Sequence, residues 1–134
     1  YKDALKCYDI ASVINPQYPD VWMSKANALR HLGKYKDALI SYEKALELTP
    51  PFASGIIWFN KACLYSLMRR KEDALESLRK ALELNPEEAS AEFERNESFA
   101  LFRNDPEFKR LVRGCGRSDG WTTAAMRQSV PYIT

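Results

Sequence analysis

The chain has 134 residues, 46% hydrophobic and 28% charged, an ordinary composition for a core-forming domain or a piece of a larger protein. Its 20 basic and 18 acidic residues leave a formal net charge of +2, too small to argue for nucleic acid or an anionic membrane as partner. No apolar run approaches the roughly 18 residues of a membrane span, and the opening residues show no signal-peptide pattern.

Tyr1, Ala4, Tyr8 and Ala11 recur at helical spacing ahead of Pro16, so residues 1–16 read as one amphipathic helix. The next stretch places Trp22, Ala26, Leu29 and Leu32 on one helical face. Asp20 stands where it can cap the start, and Gly33 stands where a left-handed end residue is wanted. A third helix carries Ala38, Leu39, Tyr42, Ala45, Leu46 and Leu48 on its apolar stripe. Pro50 stops it, because the ring removes a donor and crowds the preceding turn. Two helices joined by so short a turn lie antiparallel. Ala26 and Ala45, each flanked by larger residues, predict a close helix contact that a bigger side chain would overpack at roughly 1–3 kcal/mol.

Residues 51–57 contain two extra positions relative to the preceding unit, which predicts a longer loop or an added turn. Trp58, Ala62 and Tyr65 then mark a fourth helix, and Ala74, Leu78 and Ala81 a fifth that ends at Pro86. Pro16, Pro50 and Pro86 thus punctuate the chain at spacings of 34 and 36 residues. A period of that length signals a solenoid, whose usual work is to hold a partner in a concave groove.

Residues 87–102 interleave five glutamates with Phe93, Phe99, Leu101 and Phe102, and the pattern restarts at Asp105-Pro106-Glu107 and runs to residue 112. That triplet supplies a cap, a first-turn proline and an acid at the positive end of the dipole. The segment reads as a capping helix sealing the last unit, followed by a short helix with Phe108, Leu111 and Val112 inward. Partner recognition by its acidic face is the alternative use. Residues 113–134 show no clear periodicity and read as a mobile tail, or as one docking Trp121, Tyr132 and Ile133 on a groove.

Trp22, Ala26, Gly33, Tyr35, Ala38, Tyr42, Ala45 and Pro50 together resemble the tetratricopeptide repeat, a 34-residue helix-turn-helix unit. Trp58, Ala62, Tyr65, Ala74, Leu78, Ala81 and Pro86 repeat the pattern, with Arg69 in place of the turn glycine and Lys71 in place of the tyrosine. The ending is similar to the terminal segment of many microbial members of that family. The resemblance implies an all-α, right-handed solenoid of antiparallel helix pairs, with seven helices in all. Residues 1–16 correspond to the second helix of a truncated repeat, 19–50 and 51–86 to two repeats, and 87–112 to capping helices. With no helix before Tyr1, the chain is expected to be part of a longer protein, and the face carrying Ala4, Cys7, Tyr8 and Ala11 to be uncovered.

The resemblance also implies that first helices line the concave side. Candidate groove residues are then Met23, Asn27 and Arg30, with Ser24 and His31 beside them, and Ile56, Phe59, Asn60, Cys63 and Leu67 one unit later. Two side-chain amides can each offer donor and acceptor to a peptide backbone, while Met23, Phe59 and Leu67 would bury apolar side chains. Asn27 and Asn60 match the asparagines of the family's carboxylate-clamp members. The clamp's lysine position is Met23, and its later basic pair falls near Ser90 and Glu94, although Arg95 is adjacent, so the cations that select acidic chain ends are missing from their positions.

The expected function is a non-enzymatic protein-interaction module binding a protein or peptide segment, without cofactor or metal. Lone His31 has no second histidine with which to build a metal or nucleophile site. Cys7, Cys63 and Cys115 show no metal-ligand spacing and are expected as buried free thiols in a reducing, cytoplasmic setting. The alternatives are an appendage of a larger enzyme and a self-association module pairing through its first helix.

Overall fold

The prolines and left-handed turns fall where the repeat spacing puts them. The structure, a computed structural model, describes residues 2–116. Seven α-helices follow one another there: α1 (Lys2–Ile14), α2 (Pro19–His31), α3 (Tyr35–Leu48), α4 (Gly55–Leu67), α5 (Lys71–Leu84), α6 (Pro86–Arg95) and α7 (Pro106–Gly116). The pairs α2/α3 and α4/α5 pack most closely, and each helix then meets the next to build an all-α solenoid. The two extra residues after Pro50 become a short 3-10 turn, Pro51–Ala53, ahead of α4.

Both complete pairs turn through the same geometry. After α2, Gly33 takes φ 82 while Gly33 N–H donates to Arg30 O and Lys34 N–H to Leu29 O. After α4, Arg69 takes φ 62, and the N–H groups of Arg69 and Arg70 donate to Ser66 O and Tyr65 O in the same arrangement. The turn therefore survives loss of its glycine, with the strain held in Arg69. The neighbouring Arg70 guanidinium lies over the Tyr65 ring at 4.9 Å and pairs with Asp73 at 2.6 Å.

Three details differ from the sequence-based expectation. Asp20 does not cap α2: the helix begins at Pro19, whose fixed φ suits the first position, so Asp20 lies in the first turn. α7 continues to Gly116, past residue 112, since a glycine near a helix end costs only about 1 kcal/mol. Cys7 is exposed while Cys63 is buried, because no helix among the described residues covers that side of α1. The expected docking of Trp121, Tyr132 and Ile133 lies outside the described residues.

The core has two centres. Ala26, Leu29, Ala38, Tyr42, Ala45, Ile57 and Leu64 close the middle unit and its seam with α4. The second centre joins α4 and α5 to the cap through phenylalanines. Phe99 meets Phe59 at 5.4 Å and Phe93 at 5.0 Å between ring centroids, and Phe102 stacks on Phe108 at 4.9 Å. Asp105 caps α7 by accepting from the Glu107 N–H at 2.9 Å.

Lys71, the residue standing for the motif's tyrosine, ties that cap to α5. Its ammonium meets Glu107 at 2.7 Å and Asp105 at 3.0 Å. Hydrogen bonding to Glu107, then to Asp105, pushes its pKa up to about 12, and the bond from Lys71 holds Asp105 below the usual carboxylate value.

A charge device recurs at the junctions between units. Lys25 of α2 reaches back to Asp9 of α1 at 3.1 Å and lies 5.1 Å from the Trp22 ring centre. Lys61 of α4 does the same with Glu43 of α3 at 3.5 Å and Trp58 at 4.7 Å. At the following junction Arg79 replaces the acid, pairing instead with Glu76 and Glu83 of its own helix. The inter-unit ladder stops where the cap begins.

Candidate functional site

Successive first helices, α4 and α6, enclose a groove of about 490 Å³. Gly55, Ile56, Phe59 and Asn60 form its α4 side, and Asn85, Glu87, Glu88, Ala89, Ala91, Glu92, Arg95 and Asn96 form the other. Gly55 sets the close approach at one lip: a Cβ there would stand 1.8 Å from Asn85 Oδ1 and 3.2 Å from Leu84 Cβ. The floor is apolar and the α6 rim acidic.

The candidate residues divide between this groove and the interior. Ile56 is 59% exposed on the lip, Asn60 is half-buried, and Phe59 shows only 7% of its surface because Phe99 covers one side. Cys63 is fully buried beneath the 3-10 turn Glu97–Phe99, and burial pushes its thiol up to about 12, which keeps it protonated at neutral pH. Leu67 is partly exposed at the end of α4 and does not line the groove. Met23 is half-buried against the middle unit's core. Arg30 donates a long hydrogen bond of 3.5 Å to the Asn60 carbonyl, joining the two units.

The two asparagines are in different states. Tyr42, fully buried, donates its hydroxyl to Asn27 Oδ1. In the next unit the position of Tyr42 is held by Leu78, which has no hydroxyl, and among the described residues no hydrogen bond engages the Asn60 side chain. The amide of Asn60 thus has donor and acceptor unengaged by the described residues, whereas the Asn27 oxygen already takes one bond inside the fold. The exchange of Tyr42 for Leu78 was the sequence signal for this difference. The α6 contribution was harder to read, because Glu87, Glu88 and Glu92 sit in a segment that otherwise looks like a cap.

Among the described residues, no set of His, Cys, Asp and Glu side chains gathers so as to hold a metal ion. No described helix is long and apolar enough to cross a membrane. No curated protein matches the chain. The tetratricopeptide repeat family model matches residues 19–52 and 56–88, half of the chain and the same two helix pairs that the turns delimit. The chain belongs to the tetratricopeptide repeat family, whose repeats generally mediate protein–protein interaction.

Proposed function

We propose that this chain is a non-enzymatic, cytoplasmic interaction module that seats a peptide segment of another protein in the groove between α4 and α6. The observation that carries the reading is the unengaged Asn60 amide beside an apolar floor, with Ile56 exposed at the lip. Such an amide can bond a peptide backbone, while Ile56 and the Phe59 edge receive an apolar side chain. Arg30 bonds the Asn60 backbone carbonyl behind that contact, and Met23, Asn27, Cys63 and Leu67 lie outside the groove lining. The free thiols Cys7 and Cys63 suit a reducing compartment.

A photo-crosslinker at Ile56, applied to the full chain in a native lysate, tests it. One protein segment should be captured there, and Asn60→Ala should reduce capture by about fivefold, the loss of one hydrogen bond of about 1 kcal/mol. Capture that is unchanged by Asn60→Ala, or equal from a crosslinker at Lys44 on α3, would sink the groove assignment.

A second reading, self-association, rests on α1. Ile10 and Val13 are 62% and 80% exposed at positions where α3 carries Lys44 and Glu47 and α5 carries Lys80 and Glu83. Light scattering of the full chain should then show mass rising with concentration, and Val13→Lys should abolish the rise. A constant monomer mass removes this reading.

A further inference from the structure

We infer that the segment held between α4 and α6 is cationic: a peptide carrying a lysine or arginine within a few residues of an apolar anchor. The inference rests on the groove reading above and adds the charge of the partner. Three carboxylates line the groove, Glu87, Glu88 and Glu92, against one guanidinium, Arg95. Glu92 and Arg95 neutralise each other in a 2.5 Å pair. Glu87 and Glu88 occupy the first turn of α6 and form no ion pair with any of the described residues. The helix dipole offsets only about half a charge there. About one and a half negative charges therefore face a cavity whose other wall is Ile56, Phe59 and Gly55.

Glu94, on the same helix but outside the groove lining, solvates the outer face, while Glu87 and Glu88 both line the groove. These two carboxylates line the same groove as the Asn60 amide. An acidic segment would meet repulsion there, and a neutral one would leave the carboxylates facing a desolvated ligand. A lysine or arginine converts the same groups into charge-assisted contacts, its aliphatic stem lying along the apolar wall.

The test is a selection of randomised twelve-residue peptides on the immobilised full chain, with winners measured by fluorescence anisotropy. Winners should carry lysine or arginine near a leucine, isoleucine or phenylalanine. Their affinity should fall about tenfold in the Glu87→Gln/Glu88→Gln variant, as two exposed charge contacts of up to about 1 kcal/mol each would give. Glu94→Gln, on the same helix, should leave it unchanged, and circular dichroism should show equal helicity in all three proteins. Uncharged apolar winners that bind the glutamine variant equally, yet are released by Asn60→Ala, overturn the charge assignment and leave the groove reading standing. Acidic winners also overturn it. No enrichment at all, or a groove closed by a second copy and read as doubled mass, overturns both.

Discussion

The middle unit and the one after it share a motif and differ in what they do with one amide. In the middle unit Tyr42 binds Asn27, and a fully buried set of Ala26, Ala38, Tyr42 and Ala45 forms an interior that Ile57 and Leu64 of α4 close. In the next unit Leu78 fills the place of Tyr42, Asn60 stays unengaged, and the interior is completed by Phe93, Phe99 and Phe108 from the cap. A closed repeat and an open one thus stand side by side. The motif residues build the frame, and one departure from them, Leu78 for Tyr42, leaves the Asn60 amide unengaged among the described residues.

The largest expected effect breaks the open unit alone. Phe99→Ala removes the ring that joins Phe59, Phe93 and Phe108, and should cost about 3–5 kcal/mol. Hydrogen exchange should show α4, α6 and α7 losing protection first while α2 and α3 keep theirs. Equal loss throughout would mean that the two centres are one cooperative unit.

Tyr42→Phe sharpens the same comparison from the closed side. It removes one buried hydroxyl and leaves Asn27 without its donor, a cost of about 1 kcal/mol in denaturant unfolding. It should also make Asn27 resemble Asn60. An unchanged midpoint would deny the Tyr42–Asn27 bond any structural weight.

A smaller gain is expected at the turn. Arg69→Gly releases left-handed strain of about 1–2 kcal/mol, against about 0.4–1 kcal/mol of added freedom in the unfolded chain. The variant should therefore be more stable by up to about 1.6 kcal/mol, with position 69 then equivalent to Gly33. A lower melting midpoint would show that the Arg69 side chain contributes more than its backbone costs.

The smallest effect is a pH window. Asp105 has a lowered folded pKa, so its stabilisation is present above the usual 3.8 and fades as pH falls below it. Lys71 has a raised one, so its stabilisation is full below the usual 10.5 and fades as pH climbs through about 12. The difference in Tm between the native chain and Lys71→Met should be flat from about pH 5 to pH 9 and shrink outside those limits. Added salt should shrink it too, since the groups are at the surface. A pH-independent difference would assign Lys71 a packing role only.

Most of the frame was legible from local chemistry. Apolar spacing gave the helices, Gly33 and the prolines gave the turns, and Asp105-Pro106-Glu107 gave the start of α7. Asp20 was misread as a cap because Pro19, one residue earlier, already suits the first helical position. The site was legible only in part. Residues 96–105 carry no period, so nothing local announced that Ser66 would bond the Ser98 carbonyl at 2.7 Å and that this turn would cover Cys63 and Phe59. The Lys25–Asp9 and Lys61–Glu43 pairs join different helices, and helical periodicity within one element does not register such contacts.

Asn60, and not Asn27, is the amide proposed to meet a partner. Side-chain amide NMR signals of both residues can be followed while a selected peptide is titrated into the full chain. The Asn60 pair should shift with saturation while the Asn27 pair stays in place. Movement of Asn27 with Asn60 unmoved would contradict it.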